Sequence, residues 1–229
     1  MSTWPKSRAN QNNADENRRL LNQNAALMIN IIGSPGPGKT TLLEATLKEM
    51  PSYRTAVIEG DLTSEDAQKL APWCENVFQI NTEGAYHLEA GHIGRLLIQE
   101  NLFSTEFLFI ENIGNLVCPA EFDLGEDMRI VVISVTEGND KPRKYPLSFQ
   151  NAAAVVVTKM DLLPYCDFSI DTARADLGRI NPDLSIFTVS TKSGKGLDEW
   201  CRYLETRFRA KKRSASRRRR GTGVLKRYR

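Results

Sequence analysis

The sequence predicts an α/β fold, a three-layer doubly wound and mostly parallel sheet, on three observations. Short apolar runs of strand length alternate with stretches of helical pattern along most of its 229 residues. The runs are continuously apolar, as in strands covered on both faces. The first of them also leads directly into a glycine-rich turn that opens a helix, Gly33-Ser34-Pro35-Gly36-Pro37-Gly38-Lys39-Thr40. A sheet of this kind holds ligands beyond the carboxyl ends of its strands, so the residues just past each run are the candidates for a site.

Taken in order, residues 1–25 are rich in Asn, Gln, Ser and Arg, with a short helix around 16–22 at most and few apolar side chains to bury. They read as a flexible amino-terminal arm or a docking helix. Residues 26–32 form the first strand, and 41–50 the helix after the glycine turn. Further strands are expected at 55–58, 77–80, 106–110, 129–135, 153–157 and 184–189, and helices at 64–70, 83–101, 170–179 and 196–210. The last helix opens with Asp198 and Glu199 and ends in Lys and Arg, as the helix dipole favours. Residues 26–210 therefore form one globular unit, followed by a basic tail at 211–229 that is too charged to fold alone and is expected to be disordered.

The formal net charge of +3 hides a division. Twelve of the 31 Lys and Arg residues lie between Arg207 and Arg229, where there is no acid, so the preceding 206 residues carry 19 bases against 28 acids. A body with a net charge near −9 excludes a general polyanion-binding domain, and nucleic acid is a weak expectation that rests on the tail alone. The plainer reading of the tail is a solubilising segment. The four cysteines are scattered without metal-type spacing, and no apolar stretch approaches the ~20 residues that cross a bilayer. A reduced, cytoplasmic protein with no transmembrane segment is expected.

The chemistry begins at the glycine turn. G-x-x-x-x-G-K-T between a strand and a helix is a phosphate-binding loop. Gly33, Ser34, Pro35, Gly36, Pro37 and Gly38 bring backbone N–H groups to phosphate oxygens, Lys39 reaches the β and γ phosphates, the Thr40 hydroxyl suits Mg²⁺, and Thr41 continues the helix start. An ordinary strand-turn-helix corner needs neither Lys39 nor Thr40. Two carboxylates past strand ends, Asp61 and Glu111, stand where Mg²⁺ or its water shell needs oxygen ligands.

Thr158-Lys159-Met160-Asp161 resembles the guanine-specificity motif of GTPases. The Asp161 carboxylate would accept from guanine N1 and N2, a donor pair that adenine lacks, while the stem of Lys159 lies against the ring. Thr158 stands where Asn is usual and lacks its amide. Ser190, Thr191 and Lys192, in a Ser-Thr-Lys-Ser-Gly stretch at the next strand end, resemble the loop that closes over guanine O6. GTP with Mg²⁺ is the implied ligand.

Taken together, Ile110-Glu111-Asn112-Ile113-Gly114-Asn115-Leu116-Val117-Cys118-Pro119-Ala120 and Ser134-Val135-Thr136-Glu137-Gly138-Asn139-Asp140-Lys141-Pro142 resemble the HypB family of nickel-delivery GTPases in [NiFe]-hydrogenase maturation. The likeness spans about residues 26–205. It implies a P-loop GTPase of the metal-chaperone and signal-recognition branch, with slow turnover, a GTP-dependent homodimer, a HypA-type nickel partner and the hydrogenase large subunit as client. It also implies Lys39, Asp61, Glu111 and the Gly114 amide as the catalytic and switch residues. Lys141 would lie near the dimer interface, or be a solvated loop lysine.

The family's metal ligands are a Cys-His pair and a second Cys. Here Tyr86 replaces the first Cys, leaving His87 and Cys118. Two copies of each, related by a two-fold axis, make one tetrahedral Ni²⁺ or Zn²⁺ site per dimer. Otherwise His87 is a helix-start residue and Cys118 a buried thiol. His92 falls on another helical face, and the amino-terminal arm has no Cys or His for nickel storage. Two other functions stay open: a regulatory GTPase that has lost metal handling, and a maturation GTPase for another metalloenzyme such as urease.

Overall fold

The computed structural model describes residues 7–60, 64–82 and 87–225, with the side chains of 64, 65 and 219–225 excepted. Its seven strands are all parallel and run in the order β3-β2-β4-β1-β5-β6-β7. These are β1 (Leu27–Gly33), β2 (Thr55–Glu59), β3 (Val77–Gln79), β4 (Phe107–Gly114), β5 (Met128–Ser134), β6 (Ala154–Thr158) and β7 (Ser185–Thr188). Central β1 explains the layering, because its alternate side chains part to opposite faces. Leu27, Ile29 and Ile31 meet Leu42, Leu43 and Trp200 from α2 (Lys39–Glu49) and α9 (Leu197–Leu225). Met28 meets Leu21 from α1 (Arg8–Asn24) and Ile93 and Leu97 from α4 (Ala90–Gln99), while Ile32 joins Phe149 and Leu177 from α7 (Pro146–Gln150) and α8 (Ile170–Ile180). The buried Trp200 Nε1–H donates to Thr46 Oγ1 at 3.0 Å, closing the α2–α9 contact.

The strands lie within a few residues of expectation, save that β4 runs on through Glu111 to Gly114. Short helices the periodicity did not suggest, α5 (Cys118–Glu121), α6 (Lys141–Lys144) and α7, each start with Pro in the first two positions. Pro is tolerated there because those N–H groups have no helical partner. Helix α3 (Ser64–Leu70) is as expected; the helix foreseen at 83–101 is α4, with residues 83–86 outside the described residues.

Both ends of the chain are more ordered than a flexible arm and a disordered tail. Of the two readings of residues 1–25, the docking helix is the one seen, and it is longer than the 16–22 expected: 17 residues from Arg8, capped by Ser7. Its buried face is half asparagine. Asn17 Nδ2 donates to the carbonyls of Ala90 (2.8 Å) and Leu124 (3.0 Å), and Asn10 both donates to Asp123 O and accepts from Ala90 N, each at 2.8 Å. Glycines let the backbones close in: a Cβ on Gly125 would lie 2.4 Å from the Ala14 carbonyl oxygen. At the other end, the disorder expected from residue 211 is replaced by continuation of α9 to Leu225. The packing face simply extends through Leu204, Phe208 and Ala215, and the Lys211 side chain, 9% exposed, lies on it paired with Asp127.

Candidate functional site

β1 ends at Gly33 and α2 begins at Lys39, so the glycine turn lies beyond the carboxyl edge of the central strand. Gly36 and Gly38 have φ of 83° and 89°. A side chain would be strained in that region, and the bend turns successive N–H groups toward one concavity. Lys39 is buried and folds back so that Nζ donates to the Ser34 carbonyl at 3.3 Å. The Ser34 hydroxyl donates to Glu137, which also accepts from Ser134 N at 2.9 Å and lies 3.4 Å from Lys141 Nζ. Lys141 is thus an ion-paired lysine, joined to the turn through Glu137, and not a solvated one.

On the phosphate side, Thr40 Oγ1 donates to Glu111 Oε1 at 2.8 Å. Glu111 sits inside β4, and its register partner on β2 is Glu59. Glu59 is 2% exposed, and among the described residues no nitrogen or hydroxyl donates to its carboxyl oxygens. Burial first, and then the charge of Glu111, push its carboxyl up to about 9. Two buried carboxyls beside a hydroxyl form a hard oxygen set, and a divalent cation there would offset the cost of ionising both. The residues therefore fit Mg²⁺. The sequence does not single out Glu59, because it closes an apolar strand, whereas Asp61 two residues on stands free of the run; Asp61 itself lies outside the described residues. Gly114 pairs with Gly33, and a Cβ on it would come within 3.2 Å of Pro35 Cα, so this backbone abuts the turn.

The base side is bonded to the phosphate side by the first two residues of the Thr158-Lys159-Met160-Asp161 motif. The Thr158 hydroxyl reaches the Pro37 carbonyl at 2.5 Å and that of Ile133 at 3.1 Å, so it ties β6 to the turn without the usual Asn amide. Lys159, itself at φ 57°, donates from Nζ to Gly36 O at 2.7 Å. Ser190 donates to Asp161 Oδ1 at 2.7 Å, which joins two motifs 29 residues apart. That hydrogen bond is the main reason the Asp161 carboxyl is held below the usual range, with Lys192 adding to it. Thr191 and Lys192 continue the same loop after Ser190.

Of the transition-metal candidates, Cys118 opens α5 and is half-buried. His87 stacks on Phe122, just past the end of α5, with ring centroids 3.7 Å apart, and its Nε2 is 3.7 Å from Glu89 Oε1. Burial lowers the His87 pKa and favours the neutral, ligating form, against the pull of Glu89. His92 accepts from Glu89 N through Nδ1 as part of the α4 cap. Among the described residues no three His, Cys, Asp or Glu side chains converge on one point. One protomer's His87 and Cys118 are an incomplete set by themselves, and Tyr86 lies outside the described residues.

Comparison with known proteins agrees with this architecture. Residues 27–188 match the model of the CobW/HypB/UreG nucleotide-binding domain. The hydrogenase maturation factor HypB of Escherichia coli (strain K12) is 44% identical over 201 residues, 84% of this chain and 69% of that one. The hydrogenase/urease maturation factor HypB of Helicobacter hepaticus is 41% identical, over 80% of this chain and 78% of the other. The crystal structure of HypB from Helicobacter pylori in complex with nickel superposes with a TM-score of 0.83 at 36% identity, covering 88% of this chain and 96% of that one. The chain belongs to the CobW/HypB/UreG family of P-loop GTPases, with maturation factors of the HypB type among its relatives.

Proposed function

We propose that this protein is a GTP-hydrolysing metallochaperone that assists nickel insertion into [NiFe]-hydrogenase through a GTP-dependent homodimer. The observation that carries the reading is a pair of polar links along one motif: Thr158 and Lys159 to Pro37 and Gly36, and Asp161 to Ser190. A phosphate cradle and a guanine-selective carboxylate are thereby held at fixed separation before any nucleotide arrives. Kinship with hydrogenase maturation factors supports the client.

GTP would draw Lys39 off the Ser34 carbonyl and onto the β and γ phosphates, while Asp161 accepts from guanine N1 and N2. Mg²⁺, when bound, would be held by Thr40 with Asp61, Glu59 and Glu111 and would neutralise charge on the phosphate oxygens. The Gly114 amide faces the γ phosphate in this scheme, and only three residues separate it from Cys118. Since His87 packs at the far end of the same short helix, a shift of Gly114 moves both metal-binding side chains. Closing the dimer would then assemble two His87 and two Cys118 around one Ni²⁺ or Zn²⁺. Switch enzymes of this kind turn over slowly and depend on an activating partner for full hydrolysis. Residues 26–210 act as the GTPase domain, in the cytoplasm, with a HypA-type nickel chaperone and the hydrogenase large subunit as partners.

Sedimentation of the wild-type chain with a non-hydrolysable GTP analogue should give a dimer carrying one metal ion, and GDP should give a monomer. Dimerisation that survives Lys39→Ala or Thr40→Ala would remove the switch. If the dimer holds no nickel or zinc and Cys118→Ala changes nothing, a regulatory GTPase that has lost metal handling is the correct reading, as Tyr86 suggests. A urease client is favoured by the hydrogenase/urease relative from Helicobacter hepaticus and would be recognised by co-purification with urease instead of hydrogenase.

A further inference from the structure

The basic carboxyl-terminal segment is a shaped surface, and it lies beyond residue 188, where the family match ends. Along α9 the packed positions Cys201, Leu204, Phe208, Lys211 and Ala215 recur every three or four residues, so one face is committed to the body well past the last acidic residue, Glu205. Lys211 and Lys212 are fixed there by Asp127 and Glu106. A helix anchored on one side must present its other side in register.

That other side carries Arg209, Arg213 and Arg217, all exposed and four residues apart. The steps are about 6 Å along the axis. Arg209 shares an exposed pair with Glu205 at 3.2 Å, whereas Arg213 and Arg217 have no acidic partner among the described residues. Among the described residues from Arg209 onward this side holds no large apolar or aromatic side chain, so it has nothing to insert into a bilayer and no platform for stacking bases. Guanidinium groups on a rigid rod suit a repeating, phosphate-bearing ridge, to which each can bind through two N–H groups. Repulsion from the acidic body is screened, since charges beyond a Debye length of about 8 Å count for little at physiological salt.

We propose that the Arg209-Arg213-Arg217 face of α9 binds the phosphodiester backbone of double-stranded nucleic acid, without sequence preference. The proposal does not depend on the nucleotide site. Fluorescence anisotropy of the full chain with labelled DNA and RNA duplexes of arbitrary sequence, from about 50 to 200 mM salt, tests it. Arg213→Ala/Arg217→Ala should retain GTP binding and helix content but weaken duplex binding. The slope of log K against log salt should become shallower by about 1.8, because two fewer phosphates are neutralised. Equal weakening for DNA and RNA identifies the shared backbone as the target, and unequal weakening limits the site to the duplex affected. No duplex binding at 50 mM salt, or an unchanged slope in the variant, overturns the proposal. So does binding to phosphatidylserine vesicles without binding to duplex, which would make the face a lipid surface.

Discussion

Thr158→Val tests the tether between the base motif and the phosphate turn at constant side-chain volume. The wild-type hydroxyl has one proton and two carbonyls within reach, and Pro37 O at 2.5 Å is the nearer. Thr158 is 2% exposed and Pro37 is buried, so water cannot take over the bond without opening the loop. A net hydrogen bond contributes about 0.5–1.5 kcal/mol, but a buried acceptor left unpaired costs about 1–3 kcal/mol. The second figure governs here, because valine removes the donor and leaves the carbonyl in place. For a chain of this size each kcal/mol moves the melting midpoint by about 2–4 °C, which gives a fall of about 2–12 °C. Differential scanning calorimetry without nucleotide measures it. Thr158→Ser, which keeps the hydroxyl, should recover most of the loss. If Thr158→Val melts with wild type, the hydroxyl is no tether, and the fixed spacing between cradle and base site has lost its structural basis.

Gly125→Ala places a methyl against the Ala14 carbonyl and strains a residue at φ 85°, so residues 8–24 should exchange amide hydrogens faster while the core strands do not. Burial pushes the Asp123 carboxyl up, but the Gly125 N–H and Arg18 together outweigh it and hold the carboxyl below its usual value. A lowered carboxylate pKa stabilises the folded form fully above the ordinary aspartate range, and that contribution is lost as pH falls through the lowered value. Docking of α1 should therefore weaken below about pH 4, and Asp123→Asn should remove that dependence in exchange measurements. Asp161→Asn should shift base choice from guanine toward xanthine in competition binding, because the new amide donates where the carboxylate accepted. His87→Ala should abolish the metal held by the dimer, read by elemental analysis, while nucleotide binding remains.

The parallel sheet and the phosphate turn were legible because both rest on local pattern: strand-length apolar runs, and glycines ahead of Lys39 and Thr40. The ends of the chain were not, for opposite reasons. Helix α1 buries Asn10 and Asn17, whose polarity reads as solvent exposure until their carbonyl partners on distant segments are known. The carboxyl-terminal segment was judged by its charge, although the spacing of Leu204, Phe208 and Ala215 already gave it a face to pack. At the carboxyl end composition misled where periodicity would have served; at the amino end only the distant partners explain the burial.

The site was legible to a similar depth, and Glu59 shows where reading stopped. Acids just past strands stand out because ligands gather there, so Asp61 and Glu111 are legible, whereas the last residue of β2 hides inside an apolar run. Yet β2 and β4 are register neighbours, and any acid opposite Glu111 must share its buried surroundings. Two carboxyls in adjacent parallel strands are a costly arrangement for a fold to keep by packing alone. The bond from Thr40 to Glu111, and the opposing charge of Lys39 acting on Glu59, give that cost a use. The same logic applies to Thr158. A motif comparison records a missing amide, but strand order sets β6 beside β5 and the turn, so a hydroxyl at that position still reaches the carbonyl that matters. Pairing across the sheet decides both cases, and it is the part of the structure that sequence spacing does not carry.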